Sequence, residues 1–182
     1  MPRRLREEFD ALAMPHLAAL SRTASRLCRE RAAAEDLVQE TFLQAWRSFH
    51  RFTPGTNCRA WLYKILMFSH SRQRRDQARR PQVTDLDAAT ESALRFDPVT
   101  PDALTVSSVK AAFEQLPDPF RVAVLLVDVD GLTYREAADA MVVPVGTVMS
   151  RLNRGRRLMR LALTEQAAAY GIDVETPLRK QG

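Results

Sequence analysis

Glycine is scarce in this 182-residue chain, with 6 residues, and aromatic side chains make up only 7% of it. Beside abundant Ala, Leu and Arg, that scarcity favours helix over sheet. No run approaches about 18 apolar residues, so no segment is expected to insert into a membrane. The basic start MPRRLREEFD is followed by neither an apolar stretch nor a small-residue cleavage site, which points to a cytoplasmic location. Cysteine is sparse too: Cys28 and Cys58 lie far apart, match no Cys-His metal spacing and read as buried or half-buried free thiols. His16, His50 and His70 are dispersed. A Walker Gly-Lys loop, a nucleophile elbow and a His-Glu metal motif are all missing. No catalytic residue, metal ligand or cofactor is therefore expected, and the chain does not read as an enzyme.

What is present is positive charge and helical periodicity. Lys and Arg number 27 against 22 Asp and Glu, a net charge of +5, which suits a polyanionic partner only if the cations cluster. The run PQVTDLDAATESALRFDPVTP, Pro81 to Pro101, holds three prolines, several acids and no sustained period. It reads as a flexible linker, with at most a helical turn or two around Ala88 to Arg95. The expected class is all-α: two small helical domains, residues 1–80 and 104–170, joined by a linker over 81–103 and followed by a tail over 171–182. Each half, at roughly 65 to 80 residues, is long enough for a small bundle.

In the C-terminal half, VPVGTVMSRLNRGRRLMR sorts into two faces at 100° per residue. Val145, Val148, Leu152, Gly155, Met159 and Leu163 fall within about 60° of one another and form a packing side. Gly146, Ser150, Asn153, Arg154 and Arg157 fall opposite. Small residues permit close approach, Ser and Asn reach base edges, and Arg forks onto guanine or phosphate, so this surface suits a DNA groove. Read alone it also fits a solvated face. Upstream, Thr133 and Glu136 in GLTYREAADAM form a capping-box pattern that opens a short helix with Ala137, Ala138 and Met141 inward. Pro144 forces a restart, and two helices across a tight turn make a helix-turn-helix. Two more helices precede it, one ending at Leu116 and the next bringing Val122, Leu125 and Leu126 to the core.

The N-terminal half carries a different surface. In AAAEDLVQETFLQAWRSF the residues Leu37, Val38, Phe42, Ala45, Trp46 and Phe49 repeat inward at helical spacing. Asp36, Gln39, Glu40, Leu43 and Arg47 line the outer side. An acidic, amide-bearing ridge with one leucine is ill suited to nucleic acid and looks like a docking ridge for a protein helix, or a plain solvated face. Further on, Arg72, Arg74, Arg75, Arg79 and Arg80 crowd the end of one helix, a density fit for phosphates or for a solvated helix cap.

LPDPFRVAVLLVDVDGLTYREAADAM with PVGTVMSRLNRGRRLM resembles region four of bacterial sigma factors, particularly the extracytoplasmic-function (ECF) group. EDLVQETFLQAW and RAWLYKIL with its basic continuation resemble region two of the same family. The likeness runs from roughly Phe9 to Leu163 and implies a protein that joins core RNA polymerase and directs it to promoter DNA. It implies contact with the minus-35 element by Met149, Ser150, Asn153 and Arg154, with phosphate contacts from Tyr134 and Arg135. It implies that Asp36, Gln39, Glu40 and Arg47 engage the largest polymerase subunit, and that the loop Phe52 to Cys58, through Thr56 and Asn57, captures a base of the opened minus-10 strand, with Arg72 and Arg75 on phosphates nearby. It also implies an anti-sigma factor as partner, and a linker near the RNA exit path whose Asp85, Asp87, Glu91 and Asp97 mimic RNA charge. Opening DNA at about 1.4 kcal/mol per stacked step needs no covalent chemistry from such a chain.

Two residues depart from the family pattern. Val142 stands where the turn often has Gly; a β-branched residue at positive φ is strained, so the turn is expected to shift or to use another conformation. Phe68 stands near a common Asn; it stacks on an unpaired base or fills the core, and core packing is the expectation. Two other functions fit parts of the sequence: a stand-alone helix-turn-helix repressor or activator, and a module that sequesters polymerase without reading promoters.

Overall fold

The computed structural model describes residues 3–28, 30–79 and 101–169, and every regular element among them is helical. In chain order these are α1 (Arg3–Ala13), a 3-10 turn (Met14–His16), α2 (Leu17–Leu27), α3 (Arg31–Ser48), a second 3-10 turn (Phe49–Arg51) and α4 (Cys58–Arg79). Then come α5 (Pro101–Glu114), α6 (Asp118–Val124), a π turn (Leu125–Val129), α7 (Tyr134–Met141) and α8 (Val145–Ala169). The linker's acidic residues, its expected helical turn, and the tail 171–182 lie outside the described residues. Helix α5 begins at Pro101, ahead of the boundary at 103 expected from sequence. Proline is well placed there, because its missing N–H falls on a helix position that has no acceptor. No helix among the described residues is long and apolar enough to cross a membrane.

The described residues gather into two compact units. One comprises those of Met1–Val83 with Leu125–Met149, the other those of Thr84–Val124 with Ser150–Gly182. In the first, α3 packs on both α2 and α4, and α4 packs on α7. The buried stripe on α2 is Leu20, Ala24 and Leu27, on α3 Ala34, Leu37, Thr41 and Ala45, and on α4 Leu62 and Leu66 with Tyr63 beside them. These three- and four-residue spacings are what a helix needs to keep one side dry. An aromatic cluster joins α1, the end of α3 and the start of α4: Phe9 meets Trp46 and Phe49 edge-on at 5.1 and 5.2 Å, and Phe52 meets Trp61 at 5.0 Å. Edge-on rings place a positive rim against a negative face, which adds to the area they bury.

In the second unit Ala112, Leu116, Val122, Ala123, Val124 and Leu152 are buried. Gly155 lies so close to α6 that a methyl group on it would stand 2.8 Å from Val124 Cγ2 and 3.3 Å from the Phe120 carbonyl oxygen. The packing side expected for α8 holds at Val148, Leu152 and Gly155. It fails at Val145, which is 39% exposed because it opens the helix beside an exposed turn.

That turn does not shift to avoid strain. Val142 adopts the left-handed conformation (φ 53°, ψ 51°) as the cap of α7, with its N–H on the Ala138 carbonyl, and it is 78% exposed. The expectation that the turn would escape this geometry is therefore corrected. A left-handed cap ends a helix and frees the chain to restart at Pro144, and here a β-branched residue supplies it against its own preference. Val142→Gly is expected to stabilise the protein by about 1 kcal/mol, raising the midpoint of thermal unfolding by roughly 2–4 °C in a chain of this size. Circular dichroism on heating checks this; an unchanged or lower midpoint would show the turn to be unstrained.

Candidate nucleic-acid and protein-docking surfaces

The first surface lies between α3 and α4. Asp36, Gln39, Glu40, Leu43 and Gln44 from α3 face Phe68, Ser69, Arg72, Gln73 and Asp76 from α4 across a groove of about 600 Å³. Four of the five residues of the expected ridge thus line one wall of a groove, and Arg47 lies outside its lining; Asp36, Gln39, Leu43 and Arg47 are exposed while Glu40 is half-buried. Gln44 donates to Glu40 at 2.8 Å, fixing that carboxylate. Arg72, expected on phosphates, stands in the same groove and pairs with Asp76 at 4.0 Å. Arg75 is exposed one turn on, donating to the Ser71 carbonyl at 3.3 Å.

Phe68 requires a correction. It is 59% exposed rather than packed in the core, and with Leu43, 43% exposed, it gives the groove two apolar contacts.

The second surface is the outer side of α8. Gly146, Met149, Ser150, Asn153, Arg154 and Arg157 are all exposed, and nothing lies within 4 Å of where a Cβ would sit on Gly146. The first four turns of this helix therefore offer a largely small, polar and cationic strip, the shape and chemistry that a major groove accepts. Tyr134 and Arg135, at the start of α7, are exposed as well.

The third is the loop before α4. Thr56 and Asn57 are exposed, and the loop is shaped by Gly55 at φ 85°. Thr56 folds back on the Thr53 carbonyl at 2.7 Å. Asn57 accepts from the Ala60 N–H at 3.2 Å, capping α4, and donates from its amide to Glu136 Oε1 at 2.5 Å. Glu136 is also the third residue of α7 and completes the capping box: its Oε2 accepts from the Thr133 N–H and hydroxyl, each at 2.8 Å. The bond from the Thr133 backbone holds the Glu136 carboxyl below its ordinary value.

Behind this loop sits a cluster that sequence reading did not find. Thr23 of α2, buried, donates to Asp130 Oδ2 at 2.9 Å and lies 3.2 Å from the Tyr63 hydroxyl. Arg59 donates to the Asp130 carbonyl oxygen and lies over the Tyr63 ring, 5.3 Å from its centre. Burial pushes the carboxyl of Asp130 up. The only sequence signal was an acid inside the apolar run LLVDVDG, which has no visible partner until residues 107 apart are brought together. Cys58 is buried and Cys28 half-buried, both free, with burial pushing both thiols up. Among the described residues no group of His, Cys, Asp and Glu is arranged to hold a metal ion.

Residues 12–80 match Sigma-70 region 2, and residues 107–159 match Sigma-70 region 4. The chain is 34% identical over 163 residues to the ECF RNA polymerase sigma factor SigE of Mycolicibacterium smegmatis, covering 88% of this chain and 63% of that one. It is 36% identical over 143 residues to EcfG of Rhodopseudomonas palustris, covering 77% of each. Among solved structures, the sigma factor RpoE from Bartonella quintana, in complex with the anti-sigma factor NepR, aligns with a TM-score of 0.70 at 30% identity, over 87% of this chain and 98% of that one. These matches place the chain in the ECF family of RNA polymerase sigma factors.

Proposed function

We propose that this chain is the subunit that tells core RNA polymerase where to begin. The α3–α4 groove receives a helix of the polymerase, with Asp36, Gln39, Glu40, Leu43 and Arg47 in contact. The exposed strip on α8 reads the upstream promoter element in the major groove through Met149, Ser150, Asn153 and Arg154, and Arg157 holds phosphate. Tyr134 and Arg135 add contacts to the backbone. Thr56 and Asn57 take a base from the opened downstream strand, and Arg72 and Arg75 neutralise its phosphates. The observation that carries this reading is that Gly146, Ser150, Asn153, Arg154 and Arg157 of the α8 strip are exposed together, with Met149 beside them, in a chain whose matched regions are those of a sigma factor.

The chain itself makes and breaks no bond; it binds, positions and holds. This work is done on the chromosome, in the cytoplasm. By analogy with the RpoE complex, an anti-sigma factor is its inhibitory partner. Residues 1–80 and 104–170 are assigned to regions two and four, with 81–103 as connection.

Reconstitution tests the reading. Core polymerase with this protein, given a library of genomic fragments, should start transcripts at sites sharing an upstream motif. Repression of DNA without any association with core would favour a stand-alone regulator. Association without specific starts would favour a sequestering module. With the motif in hand, Arg154→Ala should weaken binding to the selected duplex by about 1–3 kcal/mol, roughly tenfold to a hundredfold, and relax preference at one base position. Fluorescence anisotropy on matched and mismatched duplexes reads both effects.

A further inference from the structure

The strip on α8 is apolar where it begins. Val145 and Met149 are both exposed, Met149 by 47%, and at i and i+4 their side chains are neighbours on the helix surface. The core does not use them: Val148, beside Met149 in sequence, is the fully buried residue of this turn.

Gly146 completes the feature. It stands in the first turn of α8, nothing lies within 4 Å of where its Cβ would be, and its φ is not positive. Alanine would serve a helix better at such a position, so neither packing nor backbone geometry accounts for the bare spot. What it provides is room for something that approaches from outside. Side chains on a helix lean towards its N-terminus, so Met149 leans over the turn that holds Val145 and Gly146. Together the three make an open notch with an apolar wall and a bare floor.

From this geometry we infer that the notch reads the 5-methyl group of a pyrimidine in the upstream promoter element, carried by thymine in unmodified DNA and by 5-methylcytosine in modified DNA. The inference rests on the assignment of α8 to the major groove. In a helix-turn-helix, residues near the N-terminus of the second helix are the ones that meet base edges. On those edges the 5-methyl group is the apolar feature among hydrogen-bond donors and acceptors. Arg or Lys in the notch would favour guanine, and Asn or Gln adenine, through paired hydrogen bonds. A methionine chain gains instead by covering a methyl group, and its free rotations let it settle on one.

The test uses the full chain with core polymerase and duplexes that differ by single methyl groups. Selection from a random duplex library first gives the upstream element. Each thymine in it is then replaced by deoxyuridine, which removes the methyl and leaves every hydrogen-bonding group in place. Each cytosine is replaced by 5-methylcytosine, which adds one. For the parent, at least one thymine should lose about fourfold in affinity as uracil, or at least one cytosine should gain about as much on methylation. The first result names thymine as the source of the methyl, the second 5-methylcytosine. That effect should vanish in Met149→Gln, which keeps the chain length and removes the apolar end, and shrink in Gly146→Leu, which fills the notch. Arg154→Ala should bind more weakly overall and keep the methyl effect in full.

A parent with no methyl effect above about twofold anywhere in the element overturns the inference, and so does an effect equal in parent and Met149→Gln. Weaker association of Met149→Gln with core polymerase, the methyl effect being unchanged, also overturns it and assigns the apolar pair to a protein surface. If Met149→Gln loses its helical circular dichroism, Val145→Ala is read by the same criteria with a smaller change. A holoenzyme that selects no element overturns the functional reading and this inference with it. An element selected and used for specific starts, with no methyl effect, overturns this inference alone.

Discussion

Asp36→Arg with Glu40→Arg should weaken association with core RNA polymerase by at least about a hundredfold, because turning attraction into like-charge contact at an interface costs several kcal/mol. Both carboxylates stand on the same wall of the α3–α4 groove. Asp36 is exposed and Glu40 half-buried, so the fold has little need of either charge. Among the described residues the internal side-chain bond lost is the one from Gln44 to Glu40, whose donor can turn to water. The effect should therefore fall on binding with the circular dichroism and the unfolding midpoint nearly unchanged. Competition against a labelled parent chain for core polymerase measures it. A variant that competes as well as the parent removes the groove from the docking surface. Phe68→Ala in the parent background refines the answer, since loss of the exposed ring should weaken the same association without touching charge.

Gly155→Leu is expected to produce the largest loss of stability. The space above Gly155 is already filled by Val124 Cγ2 and by the Phe120 backbone oxygen. Val is stiff at its one side-chain torsion, and a carbonyl in a helix cannot swing aside without breaking its own hydrogen bond. Overpacking of this kind costs about 1–3 kcal/mol or somewhat more, and a leucine at a spot too tight for a methyl group belongs at the upper end. For a chain of this length that lowers the unfolding midpoint by roughly 6–12 °C. Gly155→Ala should show a smaller loss, since the helix propensity gained over glycine offsets part of it. A midpoint unchanged in both would mean that α8 does not pack on α6 as described.

Much of this was legible from residue order because helices announce themselves locally. The capping box of Thr133 and Glu136, the restart after Val142, the inward stripe of α3 and the outer strip of α8 each follow from spacing within a few turns. The misreadings arose where a local rule met a distant neighbour. Val142 was expected to evade the left-handed region, but the hydrogen bonds that end α7 hold it there. Phe68 was expected inside on hydrophobicity alone, yet Leu62, Tyr63 and Leu66 already fill the inward side of α4. The Thr23, Tyr63 and Asp130 cluster had no local signature, since its members come from three segments and no period links them.

Glu136 carries two obligations on separate oxygen atoms. One is spent on Thr133, setting the first turn of the short helix, and the other reaches across to Asn57. Loss of the bond to Asn57, as in Asn57→Ala, therefore leaves the Thr133 cap and the start of that helix intact.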